Sequence, residues 1–118
     1  MRDQYKELAQ LAADVADSKK ARDVVILDIR ELAVITDYFV ICSANSRTQV
    51  QAIADAVGER LEQKGLRCKG IEGRDEGKWV LLDFGDVVVH VFLEEEREFY
   101  GLERLWGDAP RLPVQLSS

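Results

Sequence analysis

WVLLDFGDVVVHVF, residues 79–92, decides the fold. Two runs rich in β-branched and aromatic residues flank Phe84-Gly85-Asp86, a sequence that reads as a β-hairpin and its turn. Successive strand residues face opposite ways. With an even-length loop, whether Gly85-Asp86 or Phe84-Gly85, both arms sort into the same two faces. Val80, Leu82, Phe84, Val87, Val89 and Val91 make one wholly apolar face, which is core. Trp79, Leu81, Asp83, Val88, His90 and Phe92 make the other, a mixture of aromatics, aliphatics, a carboxylate and an imidazole. That mixed face has two readings. It is a sheet face half covered by a helix, with Asp83 and His90 at its wet margin, or it is a partner-binding face with aromatic anchors. Full burial is disfavoured, because Asp83 and His90 would then need partners.

Working outward, YFVICS at 38–43 and DVVILDI at 23–29 are strands apolar on both faces, the pattern of interior strands. In the second, Val24 and Ile26 face one way and Val25, Leu27 and Ile29 the other. The link between these strands is too short for a parallel crossover, so they are expected to be antiparallel neighbours. Ser46-Arg47-Thr48-Gln49 has the capping-box spacing, with Ser46 accepting from the first turn and Gln49 reaching back. The helix it opens runs to about Lys64 with Val50, Ile53, Ala54, Val57 and Leu61 as its stripe, and Gly65 stops it. LRCKGI at 66–71 reads as a short strand, making 38–71 one strand–helix–strand unit. A first helix spans 3–18 with Tyr5, Leu8, Leu11, Ala12 and Val15 on one side. A last helix spans about 94–106, with Phe99, Leu102 and Trp106 on one face and Gly107 and Pro110 ending it. Residues 72–78 are turn-like, and the tail from 108 is expected to be loose or extended.

The whole is one α/β domain with a mixed sheet of about five strands flanked by helices, over residues 1–107, followed by a flexible tail at 108–118. No apolar run approaches a membrane span, and the charged start MRDQYKELAQ lacks the apolar stretch of a signal peptide. A cytoplasmic location is expected, or an organelle matrix after removal of a transit segment. Cys42 and Cys68 read as free thiols, and one histidine with two distant cysteines does not make a zinc site. Net charge is −6. An acidic chain suits basic protein partners better than bare nucleic acid.

Catalytic readings are weak. Asp83 and His90 lack a nucleophile tied to them by any motif. Ser43-Ala44-Asn45-Ser46 leads from strand to helix but has no phosphate-cradling glycines and no P-loop lysine, so a helix cap is preferred. Asp83 and Asp86 read as a solvated turn rather than a metal pair. Arg67, Lys69, Arg74 and Lys78 lie near one another without an aromatic platform, and a solvated edge is the default.

ITDYFVICSANS, QVQAIADAV, WVLLDFGDVVVHVF and REFYGLERLW occur in that order. Together they resemble the ribosomal silencing factor family, also called Iojap-like, over roughly residues 5–106. Ala44 departs from a common family glycine, and the tail after Gly107 is left outside the resemblance. The resemblance implies a nucleotidyltransferase-like α/β fold without the catalytic motif, hence no catalytic residue, cofactor or metal. It implies docking on the large ribosomal subunit through its protein fourteen, where the small subunit joins, so that joining is blocked and translation repressed. It leaves room for a peripheral contact with ribosomal RNA, and implies a homodimer in isolation and no membrane. The runner-up is a large-subunit assembly factor, as for mitochondrial relatives; a third reading is a nucleotide-using enzyme with a degenerate pocket. Joined to the alternation argument, the resemblance makes Trp79, Leu81, Asp83 and His90 the partner-binding residues. Trp79 would be the anchor and Asp83 the mate of a lysine or arginine.

Overall fold

Ten elements follow one another in a computed structural model that describes residues 4–114. They are α1 (Gln4–Ser18), β1 (Arg22–Asp28), β2 (Tyr38–Ala44), α2 (Arg47–Gln63), β3 (Gly70–Glu72), β4 (Trp79–Asp83), β5 (Val87–Leu93), α3 (Glu94–Tyr100), α4 (Leu102–Leu105) and β6 (Arg111–Leu112). The strands form one mixed sheet in the order β3-β4-β5-β2-β1-β6. Six strands, rather than about five, make it up. β2 and β5 run parallel at its centre, and every other pairing is antiparallel, including β1 with β2 as the short link requires.

The hairpin behaves as its alternation demands. Trp79 pairs with Phe92, Leu81 with His90 and Asp83 with Val88, so the loop is Gly85-Asp86. Phe84 N–H donates to Val87 O at 3.0 Å, closing it. Val80, Leu82, Val87, Val89 and Val91 are buried under α1 and α2 together with Ile26, Val40 and Cys42. Each such aliphatic side chain contributes about 1.5–3 kcal/mol on burial. Burial also holds the Cys42 thiol un-ionised, its pKa pushed up to about 12.

The helices show where periodicity underdetermines depth. On α1 the fully buried residues are Ala9, Ala12, Ala13 and Ala16, whereas Tyr5, Leu8, Leu11 and Val15 are only half-buried. Small side chains let the helix approach the sheet closely, and the larger ones splay to its margins. On α2 the expected stripe is buried, and Ser46 Oγ accepts from Gln49 N–H at 3.2 Å. Gln49 does not close the capping box. Its amide instead donates to Lys19 O and Lys20 O, satisfying the exposed end of α1.

Two other expectations are corrected, and the described part of the tail takes the extended one of its two expected forms. The strand at 66–71 is confined to Gly70–Glu72, because Leu66 turns back into the core at the end of α2. That strand pairs with β4 at the sheet edge, so 38–71 is not a unit of neighbouring strands. The single last helix is two, since Gly101 adopts φ +57 and breaks it. Phe99, expected to share a face with Leu102 and Trp106, is left 78% exposed by that break. The tail is extended rather than loose where described. Pro110 O accepts from Asp28 N–H at 2.8 Å, and Arg111 and Leu112 pair with β1. Residues 115–118 of the expected flexible tail lie outside the described residues.

Candidate docking surface

The second sheet face carries Trp79, Leu81 and Asp83 from β4, Val88, His90 and Phe92 from β5, and Phe39 and Ile41 from β2. Leu102, Trp106 and Ala109 pack over its β1–β2 side with Leu27, Ile29 and Ile41. Arg97 fixes this cover in place. Its guanidinium donates to Glu103 Oε1 at 2.8 Å, Ser43 Oγ at 3.0 Å and Asp23 O at 2.8 Å, tying α3 and the α4 carboxylate to the ends of β1 and β2. The cover thins towards β4, where Tyr100 at the end of α3 reaches Trp79. Trp79, Leu81, Asp83 and Val88 are all half-buried.

An aromatic chain crosses the face. Tyr100 lies 4.8 Å from Trp79, Trp79 stacks on Phe92 at 4.8 Å, and Phe39 stands edge-on to both His90 at 4.6 Å and Trp106 at 5.5 Å. Trp79 is held from behind as well. The backbone of Gly73 crosses so close that an added Cβ would sit 2.0 Å from Trp79 O, and its φ of +79 also calls for glycine. The 73–78 loop is in turn pinned to α2 by Gln51, which donates to Arg74 O, and by the Arg74–Asp55 ion pair at 2.6 Å. That pair holds the Asp55 carboxyl below its ordinary range.

The four sequence-predicted residues do share one face, but at different depths. His90 is not at a wet margin: it is 3% exposed. Phe39 and the elements above it supply depth that strand alternation cannot reveal. Its Nδ1 accepts from Trp79 Nε1–H at 3.1 Å, while Nε2 is buried with no hydrogen-bond partner. Desolvation lowers its pKa to about 4, so the ring is neutral. Asp83 also has internal work, since its Oδ1 accepts from Gly85 N–H at 2.8 Å and steadies the hairpin turn.

The chemistry this permits is narrow. His90 Nδ1 is taken by Trp79 and Nε2 has no partner, so His90 and Asp83 do not form an acid–base pair. Among the described residues no three of His, Cys, Asp and Glu cluster as a metal site would need. Ser43 and Ser46 are engaged by Arg97 and by the α2 cap. No helix among the described residues is long and apolar enough to cross a membrane. Sequence reasoning missed Phe39 and Tyr100 as members of the face. Alternation within YFVICS separates Phe39 from Tyr38 and Val40, but only the parallel β2–β5 pairing shows which side it joins.

The fold and this face define an α/β domain whose distinctive surface is an aromatic sheet face, half covered by helices, rather than an enclosed pocket. The family described as "ribosomal silencing factor during starvation" matches residues 2–118, including the tail that the sequence reading left out. The ribosomal silencing factor of Bacillus subtilis is 49% identical over 105 residues, covering 89% of each chain. A crystal structure from Bacillus halodurans superposes with a TM-score of 0.82 at 44% identity, covering 92% of this chain and 99% of that one. The mouse protein named for mitochondrial assembly of the ribosomal large subunit is 37% identical over 75% of this chain and 40% of its own length. The chain belongs to the ribosomal silencing factor family.

Proposed function

We propose that this protein represses translation by docking on the large ribosomal subunit through its protein fourteen and blocking entry of the small subunit. The observation that carries the reading is the half-buried strip of Trp79, Leu81, Asp83 and Val88, an aromatic anchor with an aliphatic and acidic surround at the thin margin of a helical cover. Trp79 supplies the desolvated area from which interface energy chiefly comes. The Asp83 oxygen not used by the turn offers a partner lysine or arginine a charged mate. A net charge of −6 suits a basic ribosomal protein, and a peripheral contact with ribosomal RNA would fall to exposed basic side chains such as Arg67 and Lys69. The name of the mouse relative favours a second reading, assembly of the large subunit through the same contact.

Sedimentation with separated subunits tests the reading. Co-sedimentation with large and not small subunits is expected, together with inhibition of subunit joining. Preference for the small subunit would refute it, and binding without inhibition of joining would favour assembly.

A further inference from the structure

Trp79 carries one polar hydrogen, the indole N–H, and no acceptor. On a half-buried residue at a surface, that hydrogen would ordinarily be left to water or to a partner. Here it points inward to His90 Nδ1 at 3.1 Å. His90 is itself immobilised: it lies cross-strand from Leu81, beside Ile41, with Phe39 edge-on at 4.6 Å and Phe92 nearly parallel at 6.2 Å. A neutral imidazole that accepts at Nδ1 carries its proton on Nε2, and that atom is buried without a partner. His90 therefore brings an unsatisfied donor into an otherwise apolar setting where a leucine would bring none. The one hydrogen bond of its side chain goes to the half-buried tryptophan that opens β4.

We infer that His90 is a positioning residue for the docking face: it takes the only polar hydrogen of Trp79, so that the indole meets its partner as a fixed, all-carbon surface and the receiving site on the partner is apolar. The partner half of this statement rests on the docking reading above. The positioning half concerns the free protein and stands on the internal geometry. Fixing the ring before encounter removes a side-chain ordering cost from binding. Consumption of the N–H inside the protein means that the receiving site needs no acceptor for it.

The test uses the full chain, its 15N-labelled form and purified large subunits. In the free protein the Trp79 indole N–H resonance should be protected from solvent exchange, and His90→Leu should expose it, with Trp106 as the internal reference. His90→Leu should remain folded yet bind large subunits about tenfold more weakly, the scale of one lost hydrogen bond plus the freed ring. His90→Asn, whose Oδ1 stands near the place of Nδ1, should recover part of that loss. In a Trp79→Phe background, which has no N–H to hold, His90→Leu should change binding no further. An equal loss in both backgrounds would make His90 merely structural and overturn the inference, as would an unchanged indole resonance in His90→Leu. If Trp79→Phe and Trp79→Ala both bind like wild type, the docking reading falls and the partner half with it, while the resonance still decides whether His90 holds the ring.

Discussion

Acid should weaken this fold through its buried histidine. His90 is the chain's only histidine. Its pKa falls from 6.5 to about 4 in the folded protein because burial removes the solvation its cation would need. The unfolded chain therefore binds the proton first. Stability is fully present above about pH 6.5 and is lost as the pH falls towards 4. The whole shift corresponds to about 3 kcal/mol, most of it already lost at pH 4.5. Asp28 and Asp55, held below the ordinary carboxylate value of 3.8 by Arg30 and Arg74, lose their contribution only in more acid solution. Urea melts of wild type and His90→Leu at steps from pH 7.5 to 4.5 would isolate the effect. Wild type should lose midpoint steadily below pH 6.5, and the leucine variant should be nearly flat. Equal slopes in the two proteins would refute the assignment of a buried, neutral imidazole.

Leu82→Ala should unfold the protein before it affects docking, at a cost of about 2–5 kcal/mol for a leucine 1% exposed, visible as a lower urea midpoint. Trp79→Ala should keep its secondary structure by circular dichroism and lose about 30- to 1,000-fold in affinity for large subunits; normal binding would move the docking face elsewhere. Asp83→Asn preserves the acceptor for Gly85 N–H and should weaken binding chiefly through a slower association rate, whereas Asp83→Lys should also lower the melting temperature because the turn loses its acceptor. Arg97→Ala should cost about 2–3 kcal/mol in a urea melt, by unpairing Glu103 and freeing α3 from β1 and β2. Light scattering over a concentration series should show a mass above one chain, since the Trp79–Leu81 strip is only half-buried in a single chain; a monomer at high concentration would remove that expectation alone.

What the sequence made legible was whatever depends on neighbours along the chain. The hairpin's two faces, its even loop, the antiparallel β1–β2 pair and the Ser46 cap all follow from residues within a few positions of one another. What it hid depends on distant elements meeting. His90 illustrates the difference. Alternation puts it on the same face as Trp79 and Asp83, and that placement is right. Phe39, some fifty residues earlier, stands edge-on to it and is itself backed by Trp106, which follows a helix break at Gly101 that periodicity does not show. The same logic explains Asp83. A carboxylate two residues before a glycine in a hairpin turn accepts that glycine's N–H, a local signal that a solvated turn or a partner's cation does not bring out. The consequence reaches function. On the proposed docking face the four residues are graded by depth: Trp79 and Leu81 are half-buried and open to a partner, Asp83 has one oxygen on the turn and one left for a partner, and the buried His90 would act only through the indole it holds.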